Sequence, residues 1–117
     1  MTRLTYESHR SDGMVRLALA GEFDLSNAAQ VEDALKEIER ERPALLVLDL
    51  RELTFMDSTG LRVMVSADAR ARDDSRRLAV VQGPESVHRV FRITGLDDHL
   101  EMVETPEAAV RDNGASR

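Results

Sequence analysis

The chain has 117 residues, a formal net charge of -6 and no cysteine. That length suits one domain with a core that needs no staples, the lack of cysteine excludes disulfides, thiolate metal sites and a cysteine nucleophile, and the acidic balance argues against non-specific nucleic-acid binding, which depends on basic surface. No apolar run approaches the ~20 residues of a membrane span, and Met1–Ser8 lacks the apolar core of a secretory leader, so a soluble cytoplasmic protein is expected.

In chain order, Leu4–Ser8 reads as a short strand and Ser11-Asp12-Gly13 as a turn, its glycine free to take positive φ. Val15, Leu17 and Leu19 alternate with Arg16, Ala18 and Ala20, which predicts a second strand and an antiparallel hairpin with the first. Gly21–Asp24 leads out of that strand. Leu25–Arg42 reads as a helix capped by Asp24 or Ser26, with Ala28, Val31, Leu35 and Ile38 as one apolar stripe and Pro43 closing it. Ala44–Leu50 is so apolar that it belongs in the middle of a sheet, covered on both faces. Arg51–Met56 then reads as a connection ending in two exposed apolar residues, Phe55 and Met56.

Asp57-Ser58-Thr59-Gly60 is a helix start, with side-chain oxygens suited to capping. The helix runs to about Ala71, with Leu61, Met64, Val65 and Ala67 on its inner side. Arg70–Arg77 is a charged turn and Leu78–Val81 another buried strand. Gly83-Pro84-Glu85 opens a third helix striped by Val87, Val90 and Phe91; Gly95 ends it, and Leu96 packs back on Phe91. Leu100–Glu104 is a short strand, and Thr105-Pro106-Glu107 caps a last helix through Val110. The order β-β-α-β-α-β-α-β-α predicts an α/β fold: one domain over residues 1–112, a mixed, mostly parallel sheet with helices packed on it, and a disordered polar tail at 113–117.

A strand leading to a helix N-terminus is where α/β proteins place their chemistry, so function is expected around Ser58. Spacing leaves three readings of Asp57–Gly60 open. It could be a cap alone, an aspartic-protease-like D-[ST]-G, or a phosphoacceptor serine whose phosphate would meet free N–H groups and the positive end of the dipole. The protease reading wants a second such aspartate and a β-rich fold. A serine hydrolase wants a G-x-S-x-G elbow, absent here, and His88 reads as a surface residue. A receiver domain phosphorylated at Asp49 wants a lysine after a late strand, whereas the one lysine, Lys36, is mid-helix. Glycine-rich phosphate loops are absent, and His9, His88 and His99 are too scattered for a metal motif.

Three segments carry a resemblance to a known family. Gly21-Glu22-Phe23-Asp24-Leu25 resembles the second-strand exit of STAS domains. Leu46–Leu50 followed by Phe55–Leu61 resembles their central strand and phosphorylation loop, and Ile93-Thr94-Gly95-Leu96 their third-helix ending. The similarity spans about residues 4 to 110, and within the family it is to the single-domain anti-sigma-factor antagonists of bacteria. Arg62 departs from the small residue many members carry there, which leaves the fold intact and bears on the partner surface.

The resemblance implies a STAS-like fold and a switch that is not an enzyme and needs no cofactor or metal. The unphosphorylated protein, a monomer when free, would bind an anti-sigma factor that is also an ATP-dependent serine kinase, so releasing a sigma factor. Phosphorylation of Ser58 would dissociate the complex, and a serine phosphatase would reset it. Asp24, Ser26, Asn27, Asp57, Thr59, Gly60, Leu61 and Arg62 are the expected partner-binding residues, brought together if the strands before Asp24 and Asp57 run parallel. The alternative role is a STAS subunit of a transport or stress-signalling assembly.

Overall fold

The Asp12-Gly13 pair sets the first fold event. Both residues have positive φ, 46° and 80°, as a two-residue type I′ hairpin requires, and Ser11 pairs with Met14 across it. The computed structural model describes residues 3–115. The elements are β1 (Leu4–Ser11), β2 (Met14–Phe23), α1 (Ala28–Glu39), β3 (Leu45–Met56), α2 (Ser58–Asp73), β4 (Arg77–Val81), α3 (Glu85–Thr94), β5 (Glu101–Val103) and α4 (Pro106–Ala115). The five strands lie in the order β1-β2-β3-β4-β5. β1 and β2 are antiparallel; the other pairs are parallel. This is the mixed, mostly parallel sheet expected.

Each parallel strand is laid beside the previous one through a helix, and right-handed crossovers put those helices on one face. There Leu46, Leu48 and Leu50 of β3 and Val80 of β4 meet Leu35 of α1, Met64 of α2 and Phe91 of α3 in the main core. Leu46 and Leu48 are 0% and 1% exposed, each worth about 1.5–3 kcal/mol in removal from water. On the other face a smaller cluster joins Leu45, Val47, Ala79, Val81 and Val103 to Ala109 of α4. Double coverage explains why Leu45–Leu50 alternates so little in polarity.

The exception in that run is Asp49, which is buried on the α4 face. Its Oδ2 accepts hydrogen bonds from Arg16 at 3.0 Å and Arg51 at 2.8 Å, and its Oδ1 from the Arg51 side chain at 3.0 Å. Burial alone would push this carboxyl up; the Arg51 side chain and backbone N–H and the Arg16 guanidinium outweigh it and hold it below the usual carboxylate range.

Several boundaries differ from the sequence reading. Residues 51–56 are not a connection: β3 continues to Met56, pairing Gly21 with Leu53 and Phe23 with Met56 across register shifts. A bulge adds a residue and breaks period 2, so the buried Leu53 and Met56 fall three apart and hide the strand. Met56 is accordingly buried, and only Phe55 is exposed. α1 begins at Ala28 rather than Leu25 because the preceding residues close a separate turn, and it ends at Glu39. Val65 is half-buried, while Asp68 takes an unexpected buried place on α2. Gly95, at φ 79°, ends α3 as expected, and Leu96 packs against the core that contains Phe91. Thr105 Oγ1 caps α4 through the Ala108 N–H at 3.1 Å. α4 carries on past Val110 to Ala115, through the start of the expected tail; Ser116 and Arg117 lie outside the described residues. Among the described residues no helix is long and apolar enough to cross a membrane.

Candidate partner-binding edge

β2 and β3 run parallel and end level, with Phe23 opposite Met56. The Asp57 N–H donates to the Phe23 carbonyl at 3.3 Å, stitching the two exits together. The segments beginning at Asp24 and Asp57 therefore share one edge of the sheet, as the sequence reading required.

Asp57 is the N-cap of α2. Its backbone is extended (φ -102°, ψ -173°), and its Oδ1 accepts from the N–H groups of Thr59 at 2.9 Å and Gly60 at 3.4 Å. Of the side-chain oxygens that could cap this helix, the Asp57 carboxylate does so, not the Ser58 hydroxyl. Ser58 is the first helical residue and is exposed, so a group placed on its Oγ would join the cap rather than replace it. Thr59 is half-buried and Arg62 exposed.

Gly60 and Leu61 are buried, and Leu61 belongs to the main core. A Cβ on Gly60 would lie 2.8 Å from Met56 Cγ and 3.0 Å from Phe23 Cδ2, so glycine is what lets the first turn of α2 lie directly on the ends of β2 and β3. These two residues shape the edge from beneath.

The other half of the edge is a hydrogen-bonded turn. Asp24 Oδ1 accepts from the Ser26 N–H at 3.0 Å and the Ser26 O–H at 2.6 Å. Asn27 Oδ1 accepts from the Asp24 N–H at 3.1 Å, and Asn27 Nδ2 donates to the Glu22 carbonyl at 2.9 Å. Asn27 is buried, Asp24 half-buried and Ser26 exposed. Asn27 stands at the N-cap of α1 without capping it by its side chain; its amide reaches backwards into the turn.

Sequence reasoning missed Leu25, placed at the start of the first helix but 76% exposed in this turn. The missed signal was Asp24-x-Ser26-Asn27 itself, residue types that close local turns through their side chains. His88 does not join the site: its ring stacks on Phe91 of α3, centroids 6.0 Å apart, and its Nδ1 is enclosed without a hydrogen-bond partner. Two open clefts, of about 310 and 370 Å³, lie beside the hairpin turn and beside α4, and neither is lined by Ser58. Among the described residues no group of three or more His, Asp or Glu side chains could hold a metal ion. The edge offers an exposed hydroxyl, acids and apolar side chains on a surface, which is chemistry for docking a macromolecule.

Comparison with known proteins agrees with this geometry. Residues 7–104 match the family described as Mlab, STAS domain. The anti-sigma-B factor antagonist of Listeria monocytogenes is 33% identical over 106 residues, covering 91% of this chain and 92% of that one. A crystal structure of an anti-sigma factor antagonist from Mycobacterium paratuberculosis superposes with a TM-score of 0.83 at 23% identity, covering 93% and 92% of the two chains. The Bacillus cell fate determinant SpoIIAA, itself an anti-sigma factor antagonist, matches in its unphosphorylated form with a TM-score of 0.80 at 20% identity over 94% of this chain and 97% of that one. In its phosphorylated form it matches at 0.71 and 18%, over 92% and 98%. The arrangement of sheet and helices is thus that of a known fold, and the chain belongs to the STAS domain family.

Proposed function

We propose that this protein is an anti-sigma factor antagonist whose Ser58 edge, when unmodified, binds an anti-sigma factor that is also a serine kinase, and so releases a sigma factor. The observation that carries this reading is the placement of Ser58: exposed, first in α2, beside a carboxylate cap and level with the Asp24 turn. The kinase transfers the γ-phosphoryl group of ATP to Ser58 Oγ; the P–O bond to ADP breaks, the new P–O bond forms, and the hydroxyl proton leaves. A serine phosphatase hydrolyses the ester and restores the binding form.

The switch is local charge. A phosphoryl group brings roughly -1.5 to -2 charges at neutral pH. The dipole of α2 tolerates it, offsetting about 0.3–2 kcal/mol, so the helix stays folded. The Thr59 and Gly60 N–H groups, however, are already bonded to Asp57, so the new charge is not absorbed and faces the partner. The similarity to an anti-sigma-B factor antagonist over nearly the whole chain supports the assignment. The test is incubation with histidine-kinase-like anti-sigma proteins and ATP, followed by intact-mass measurement and phosphopeptide mapping. One added phosphoryl group on Ser58 is expected; a group mapped to Thr59 or elsewhere overturns the assignment.

A further inference from the structure

The turn between β2 and α1 is more rigid than a linker needs to be. Side-chain hydrogen bonds among Glu22, Asp24, Ser26 and Asn27 and the bond from the Asn27 N–H to the Asp24 carbonyl at 3.1 Å fix it, with Asn27 only 3% exposed beneath. Yet the large apolar residue inside it, Leu25, is 76% exposed, so it adds almost nothing to the core. Phe55, 48% exposed, stands at the end of neighbouring β3, opposite Glu22 and one residue before the rung that joins Phe23 to Met56. A single exposed apolar side chain is ordinary. One held out by a preorganised turn, at the edge that bears Ser58, has the form of an anchor: rigidity in the free state lowers the entropy lost on binding, and fully desolvated side chains at an interface centre carry most of its energy.

The charges around this anchor are mixed: Asp24 and Asp57 leave the same strand ends, Glu22 is paired with Arg3 at 3.6 Å, and Arg62 is exposed on α2. We propose that Leu25, with Phe55 on the next strand, is the apolar anchor of the Ser58 edge. Asp24 and Asn27 are then positioning residues that hold Leu25 out, and the complementary surface on the anti-sigma factor is an apolar pocket. The proposal rests on the reading of this edge as the docking surface for an anti-sigma factor and deepens it.

The experiment is titration calorimetry of the wild type, Leu25→Ala, Asp24→Ala, the double variant and Ile93→Ala against the anti-sigma protein that phosphorylates the wild type. Ile93 is the control: it is 77% exposed on α3, outside the turn. Leu25→Ala should bind about 10- to 100-fold more weakly with an unchanged thermal midpoint, because its side chain lies in solvent. Ile93→Ala should bind like the wild type. Asp24→Ala should also weaken binding, and the double variant should be little weaker than Leu25→Ala, since Asp24 acts through Leu25. Wild-type affinity in Leu25→Ala, an equal loss in Ile93→Ala, or losses that add in full across the double variant would each overturn the proposal. Failure of the wild type to bind any anti-sigma protein would instead remove the reading of the edge, and the proposal with it.

Discussion

Asp49 and the edge aspartates, Asp24 and Asp57, show two ways of holding a carboxylate in one small domain. Asp49 lies in the sheet, neutralised by two guanidinium groups. Asp24 and Asp57 lie at the strand exits and, among the described residues, accept from N–H and O–H groups, of Ser26 in one case and of Thr59 and Gly60 in the other. Dipoles fix the position of such a carboxylate without cancelling its charge. The difference separates structural roles: paired charge holds the sheet together, and at the strand exits a carboxylate anchored by dipoles closes a turn or caps a helix.

The largest expected effect is on the edge. A phosphate charge about 4 Å from an acidic group of the partner is repelled by about 4 kcal/mol at an effective dielectric of 20, which is several hundredfold or more in affinity. Phosphorylated protein should therefore lose anti-sigma binding by at least that factor. Ser58→Asp should lose binding to a smaller degree, and Ser58→Ala should bind and resist release by ATP. Calorimetry of these forms beside their amide NMR spectra is the check. Equal affinity for phosphorylated and unmodified protein ends the charge mechanism, as do shift changes spread through the whole sheet.

Asp49→Ala should show the converse behaviour. It removes the carboxylate that Arg16 and Arg51 share, leaving Arg51 with the weaker influence of Glu107 and Glu52. Removing one partner of a fully buried pair costs about 3–5 kcal/mol, but these guanidinium groups are 27% and 46% exposed and regain water, so about 1–3 kcal/mol is expected by urea denaturation. Ser58 phosphorylation should proceed at the wild-type rate. A variant of normal stability that binds poorly would erase the distinction between the two classes of aspartate.

Gly60→Ala sharpens the same contrast from beneath the edge. Helix propensity alone would favour alanine by about 1 kcal/mol. The added Cβ meets Met56 and Phe23 at 2.8 and 3.0 Å, and overpacking of this kind typically costs 1–3 kcal/mol. A net loss of about 1–2 kcal/mol in stability is expected. Stabilisation would mean that α2 can shift away from the strand ends without penalty.

What could be read in the sequence was whatever repeats along the chain. Patterns such as the alternation of Val15, Leu17 and Leu19, the stripe of Val31, Leu35 and Ile38 and the Leu45–Leu50 run, apolar but for Asp49, gave the order and type of the elements, and the parallel connection brought Asp24 and Asp57 to one edge. What could not be read was set by contacts between distant residues. The extension of β3 to Met56 depends on a bulge against β2 that disturbs periodicity. The exposure of Leu25 depends on side chains closing a turn onto their own backbone. The need for glycine at position 60 depends on Phe23, far away in sequence. Asp49 could be picked out as an acid in an apolar strand, but its arginine partners come from a neighbouring strand and from two residues on, and only the register names them.

The smallest expected effect is the acid sensitivity of the paired carboxylate. The folded-state pKa of Asp49 lies below its unfolded value, with burial opposing and the arginine hydrogen bonds prevailing. A depressed carboxylate contributes stability that is fully present above the unfolded pKa, about 3.9, and that is lost as pH falls through the folded pKa. The stability difference between wild type and Asp49→Asn, taken from urea curves, should then be flat from pH 7 to about pH 5 and shrink below about pH 4. A single group changes stability by at most about 1.4 kcal/mol per pH unit, which sets the steepest slope allowed. Added salt should leave the pH 7 difference nearly unchanged, because the Asp49 side chain is only 5% exposed. The exposed Arg10–Glu41 pair, at 47% and 41%, is by contrast open to screening. A difference that widens on acidification would mean that Asp49 is destabilised as the anion in the folded protein, and that its two arginines do not compensate its burial.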